Sequence, residues 1–304
     1  LPLIFAQAQY PERGFNRDMN FPFGRGGLIK KFDMILAKSA KHGKRFEYFN
    51  GKKISVMGDT RFEQNIPDYQ IKKSNAFKKK YLNDCFTVCF ASIGKKEDLI
   101  VVDVIKQVLS KLPKNKKLKF FFIFVPRHPS DFCMCDNLFR VVPAKIAKRS
   151  LLFGSNLSPK PLLFSENQIK KIDGLWGDSL GEMNFYLGLS DLVFIGDSFN
   201  EEGSHNIIEP FALEKPVLVG PSIWGIEYPA NEALEAGILN QVFTKSDLVD
   251  QLVKSFNKFP KDKNRKVLKK KIASFYRAHT GASEIFLESL FNEKLVSKNK
   301  IKRG

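Results

Sequence analysis

The chain is poor in cysteine, tryptophan and acid. Only 4 cysteines and 2 tryptophans occur in 304 residues. Cys85 and Cys89 lie in an apolar, strand-like run, and Cys133 and Cys135 are separated by one residue, a poor spacing for metal ligands. This pattern excludes a disulfide scaffold and argues against a zinc site. Free thiols in a reducing compartment are the expectation. No stretch reaches the ~18 consecutive apolar residues of a membrane span, and no secretory leader is visible. The chain opens on Leu1 rather than methionine, so the start of the protein is expected to lie upstream. No internal repeat occurs. Acid is short as well: 32 Asp and Glu face 50 Lys and Arg, a net charge of +18. Such an excess favours an anionic partner, whether nucleic acid, an acidic lipid surface or a phosphorylated substrate. The basic runs, among them Lys78 to Lys80 and the tail at 297–303, are spread widely, and each alone reads as a solvated face. No recognition helix, RNA-binding signature or aromatic-basic interleaving accompanies them, which counts against nucleic acid.

What is present is enough apolar residue, 43%, for a globular core, and enough length for two domains. Apolar runs recur as strands: 1–8, 32–37, 52–58, 86–92, 118–125, 192–196, 216–220 and 238–243, while 172–176 leads into a helix over 177–190. Helical patterns fall at about 95–112, 136–148 (weakened by Pro143), 228–236, 246–257 and 264–293. Strands alternating with helices predict a mostly parallel, doubly wound α/β sheet. Residues 59–84 are polar and basic with no apolar period. They are read as a hinge, placing the end of one domain at 1–70, a linker at 71–84, a second domain at 85–295 and a basic tail at 296–304.

The second domain is organised around residues 177–220. Its strand, Leu192 to Gly196, shows little alternation, as expected of a strand buried on both faces. The loop 197–206 is rich in Ser, Asn and Gly, and a helix is predicted to open near Ser204 to Asn206. Strand, polar loop and helix N-terminus form the usual place for a phosphate or nucleotide in an open α/β sheet. Glu209 in the first turn cannot bind phosphate, but it can accept hydrogen bonds from the paired hydroxyls of a ribose. The plainer alternative is that it complements the helix dipole.

Several segments occur together in one order: VMGDTRFE (56–63), PRHPSDF (126–132), GDSLGEMNFYLGLSDLVFIGDSF (177–199), EEGSHNIIEP (201–210) and KPVLVGP (215–221). In that combination the chain resembles the 3-deoxy-D-manno-octulosonic acid (Kdo) transferases of lipid A and lipopolysaccharide assembly. The resemblance implies a two-domain GT-B glycosyltransferase that is inverting and needs no metal and no cofactor. It also implies a CMP-Kdo donor on the C-terminal domain, lipid IVA as acceptor on the N-terminal one, and the cytoplasmic face of the bacterial inner membrane as location. There the enzyme is held peripherally or by an N-terminal anchor, against an anionic membrane surface. The catalytic base is expected upstream of Leu1. Donor-binding residues carried over from the motifs are Arg127, His128, Gly181, Glu182, Ser198, Ser204, His205, Asn206 and Glu209.

Five positions depart from the family pattern. Ile93 and Gly94 replace a Thr-His pair, Asp197 replaces a glycine, Gln9 replaces an arginine, and Glu202 replaces another. Asp197 puts charge and bulk where a close backbone approach to ligand is expected. Two other readings stand beside a Kdo transferase: a GT-B glycosyltransferase or nucleotide-sugar epimerase using a UDP-sugar, and a degenerate, non-catalytic copy.

Overall fold

The computed structural model describes residues 2–21, 26–113, 117–133, 140–158, 160, 165–201, 203–259 and 263–293. The chain divides into two compact units, one of Leu1–Asn65 with Ser274–Gly304 and one of Ile66–Ala273.

The first unit holds a parallel three-stranded sheet in the order β1 (Ile4–Ala8), β2 (Met34–Ala37), β3 (Ile54–Val56). Helices Glu12–Met19 and Ala40–Tyr48 flank it, the latter capped by Ser39. Phe5, Tyr10, Phe46 and Phe49 pack on one face. Met34, Leu36, Met57 and Ala282 form a second cluster, with Phe286 against it. Ala282 and Phe286 belong to helix Ala282–Asn292, so the end of the chain completes this unit.

The second unit is built on a seven-stranded parallel sheet. Its strands are β4 (Cys85–Ile93), β5 (Lys119–Pro126), β6 (Ile146–Lys148), β7 (Gly174–Trp176), β8 (Leu192–Ile195), β9 (Val217–Val219) and β10 (Leu239–Gln241). Their order is β10-β9-β8-β4-β5-β7-β6. β4 and β8 are almost wholly buried, which is why they read as unbroken apolar runs. Helices Glu97–Lys111 and Lys245–Lys258 cover one face and fill the main core with Val101, Ile105, Leu248 and Phe256 against Phe90, Phe122 and Phe194. Cys85 and Cys89 are buried in β4, and burial pushes both thiols up, Cys85 to about 11. Cys135 lies outside the described residues. Among the described residues no helix is long and apolar enough to cross a membrane.

Four expectations need correction. Residues 68–81 form a helix, Asp68–Tyr81, rather than a linker. It docks through polar contacts, which leave no apolar period to read. The Gln70 amide donates to the Gly181 carbonyl (2.8 Å) and accepts from the Phe185 amide (3.1 Å), while Lys78 donates to the Leu189 carbonyl (2.9 Å) and pairs with Asp191 (2.8 Å). The second unit therefore begins at Ile66, and it ends at Ala273 instead of residue 295. The long helix expected over 264–293 is two, Arg265–Ala278 and Ala282–Asn292, broken at Gly281, where φ is +103°. The helix expected over 136–148 gives way to strand β6 at Ile146–Lys148, consistent with Pro143 blocking helical continuation. Residues 134–139 and the tail lie outside the described residues.

Candidate functional site

Strand order places the site. From β4 the chain crosses to β5 on one side, and from β8 it crosses to β9 on the other. The loops after β4 and β8 therefore diverge, opening a crevice at the carboxyl edge of the sheet. A ligand binds an open α/β sheet at such a switch point. The loop after β5, beginning at Arg127, borders the same edge.

Within the crevice, Glu97 in the first turn of helix Glu97–Lys111 is fully buried. Its carboxylate accepts from the amides of Asp197 (2.5 Å), Ser198 (3.0 Å) and Phe199 (2.9 Å). Burial pushes its pKa up to about 6, against the lowering effect of those amides. Sequence reasoning missed Glu97. Following two lysines at a helix start, it looks like an ordinary dipole-complementing acid.

Next comes Asp197, whose side chain lies over Gly94. A Cβ built at Gly94 would fall 1.7 Å from Asp197 Oδ1. Asp197 accepts from the Asn200 amide at 3.1 Å and contacts His205 Nε2 at 2.5 Å. Among the described residues no hydrogen bond engages His205 Nδ1. Burial lowers the His205 pKa, opposed by Asp197 and assisted by the nearby positive charges of Arg127 and His128. Arg127 and His128 are exposed, and their side chains make no hydrogen bond or ion pair with the described residues. A free guanidinium and two imidazoles thus gather at one edge.

Four further expected residues follow on the same loop and the helix after it. The Ser198 amide is taken by Glu97, and its hydroxyl donates to the Ile195 carbonyl at 2.7 Å. Ser204 has φ +67°, and its Oγ is buried without a partner among the described residues. Asn206 accepts from the Ile208 amide (2.9 Å) and donates to Glu209 Oε1 (3.2 Å). Glu209 is half-buried, with its second oxygen unengaged among the described residues.

The expected anion cradle at a helix N-terminus is not what forms. The helix opens at Ile208, not at Ser204 to Asn206, and runs only 5 residues. The amides of 197–199 end on Glu97 and that of Ile208 ends on Asn206, so cationic side chains are left as the groups suited to an anion.

Gly181 and Glu182 follow β7, beyond β5 along the same edge. Gly181 is exposed with φ +73°. Glu182 forms an ion pair with the buried Arg149 and accepts from the Ser179 hydroxyl at 2.6 Å. Arg149 also donates to the carbonyls of Phe153 (3.1 Å) and Gly154 (3.0 Å). Glu202 lies outside the described residues.

A parallel sheet with this switch-point crevice, in a chain that also holds a smaller parallel unit, has the GT-B-type glycosyltransferase fold. Within that class the chain is a relative of the Kdo transferases. It is 23% identical over 257 residues to the 3-deoxy-D-manno-octulosonic acid transferase of Haemophilus influenzae, covering 84% of this chain and 56% of that protein. It is 25% identical over 258 residues to the enzyme of the same name from Bordetella pertussis, covering 85% and 56%. The chain thus spans 56% of the length of these two relatives. Among solved structures it matches the C-terminal CMP-Kdo binding domain of WaaA from Acinetobacter baumannii, with TM-score 0.55 and 22% identity over 68% of this chain and 96% of that one. A UDP-GlcNAc 2-epimerase from Neisseria meningitidis matches in fold at TM-score 0.52 and 16% identity over 96% and 70%. No family model matches the chain.

Proposed function

We propose that the chain is the donor-binding part, with a portion of the acceptor part, of a transferase that moves Kdo from CMP-Kdo to lipid IVA in lipopolysaccharide synthesis. One observation carries this reading: the shared segments that follow β5 and β8 border one crevice of the second unit, where Arg127, His128 and His205 stand together without competing ion pairs apart from Asp197.

The chemistry fits such a donor. CMP leaves as a phosphate, so transfer requires stabilisation of negative charge on the departing group. The Arg127 guanidinium can clamp phosphate or carboxylate in two-pronged fashion. Kdo brings a carboxylate of its own, giving His128 and His205 a second anionic group to meet. Ser198 and Ser204 line the loop beside them. Asn206 orients Glu209, whose free oxygen suits a ribose hydroxyl. Gly181 and Glu182 shape the wall after β7. The reaction in this reading inverts the sugar carbon and uses no metal. The acceptor's proton goes to a carboxylate base, and the enzyme works at the cytoplasmic face of the inner membrane.

Binding is therefore the readout, not turnover. The test is thermal denaturation with CMP, UDP, ADP or GDP. At ~100 times its dissociation constant a ligand stabilises the fold by ~2.7 kcal/mol, a visible shift. Selective stabilisation by CMP, lost in Arg127→Ala and Glu209→Ala, is expected. A UDP preference would replace the donor while keeping the fold. Equal CMP binding by both variants would remove the site assignment.

A further inference from the structure

Two positions that depart from the Kdo-transferase pattern, Gly94 and Asp197, meet in space. With a Cβ at Gly94, Asp197 Oδ1 would stand at 1.7 Å and Cγ at 2.6 Å, far inside van der Waals contact. Any side chain at 94 therefore expels the Asp197 carboxylate from its place. Asp197 also holds a left-handed backbone, φ +56°, which a residue with a Cβ adopts at some cost. It is held there on several sides. Its amide donates to Glu97, its carbonyl accepts from the Ser204 amide at 2.9 Å, and its Oδ1 accepts from Asn200 at 3.1 Å. The remaining oxygen, Oδ2, meets His205 Nε2 at 2.5 Å. The Asp197 side chain is 11% exposed and that of His205 25%, so this contact is partly shielded from water.

We propose that Asp197, admitted by the missing side chain at Gly94, is a positioning residue that holds His205 as its Nε2–H tautomer, with Nδ1 left for the donor's anionic group. The inference rests on reading this crevice as the donor site. A carboxylate accepts only, so the ring nitrogen facing it must carry the hydrogen. Nδ1 is then the unprotonated nitrogen of a neutral ring. When an anion arrives, a proton taken up at Nδ1 turns the ring into a cation with a second donor, while Asp197 balances the charge. The charged groups set around the ring are Asp197 after β8 and Arg127 and His128 after β5, with Glu97 behind the Asp197 amide. Arg127 and His128 oppose that proton until an anion offsets them, which couples proton uptake to anion binding.

The measurement is 15N-edited NMR of the imidazole rings. The chain has 4 histidines, and His205→Gln assigns the signal of interest. The parent is expected to show His205 as the Nε2–H tautomer. Asp197→Ala and Gly94→Ala are both expected to lose that preference, and Asp197→Asn to keep it, since the amide oxygen still accepts. A His205 ring in the other tautomer, or one unmoved in Asp197→Ala, overturns the proposal. If Gly94→Ala does not fold, the two Asp197 variants decide alone. Calorimetric titration with CMP gives the second arm. In the parent, affinity is expected to rise as pH falls, and in Asp197→Ala to drop about tenfold with the pH dependence flattened. Parental affinity and pH profile in Asp197→Ala overturn the positioning role. If the parent binds UDP but not CMP, the donor assignment fails while the tautomer result still judges Asp197.

Discussion

Three amides of the loop after β8 end on the single carboxylate of Glu97. With the pKa raised from 4.5 to about 6, the folded protein keeps a proton that the unfolded chain has already released between those values. Stability therefore falls as pH rises through that window, by up to about 2 kcal/mol. Glu97→Gln lacks the titration. Urea denaturation of both proteins at pH about 4.5 and about 6.5 should show the parent losing stability relative to the variant. A constant difference would mean that the carboxyl is not shifted. Glu182 makes a different kind of contribution. Its partner Arg149 is 7% exposed, and Glu182→Ala leaves that guanidinium buried without its counter-charge. Breaking a buried pair in this way costs about 3–5 kcal/mol. A urea midpoint unchanged from the parent would show that Glu182 does not support the fold.

Among the elements, the break between the last two helices is set by one residue. Gly281 has φ +103°, and a Cβ there would meet no atom within 4 Å, so backbone strain is the only penalty of a side chain. Gly281→Ala is expected to cost about 1–2 kcal/mol in chemical denaturation. A smaller loss would mean that the turn relaxes into another conformation. Glu63 holds the following helix, accepting from the amides of Gly281 (2.8 Å) and Ser283 (3.1 Å). Phe62 beside it packs against Phe275, Tyr276 and His279. The strands were the most legible elements, since those buried on both faces leave apolar runs that need no partner to be recognised. Helix Asp68–Tyr81 was not legible, because Gln70, Ser74 and Lys78 supply much of its docking face and polar residues at helical spacing look like a linker.

On the scale of the whole molecule, a net charge of +18 should draw the protein to anionic surfaces. Each Lys or Arg near such a surface contributes ~1 kcal/mol, screened by salt. Co-sedimentation with vesicles containing anionic lipid is expected at low salt and should fall steeply as salt is added. Equal binding to purely zwitterionic vesicles would remove electrostatics as the cause.

The sequence alone determined the parallel α/β class, eight of the ten strands among the described residues, and the motifs that mark the crevice, because buried strands and loops after strands carry local patterns of polarity. It also placed Arg127, His205, Asn206 and Glu209 among the residues of interest. Only the tertiary structure decided that the last helix completes the first unit, that Glu97 consumes the amides expected to hold an anion, and that Gly94 and Asp197 compensate each other. Those outcomes depend on residues about 100 positions or more apart meeting within a few ångströms, and hydrogen bonds and steric exclusion between distant segments leave no periodic trace along the chain.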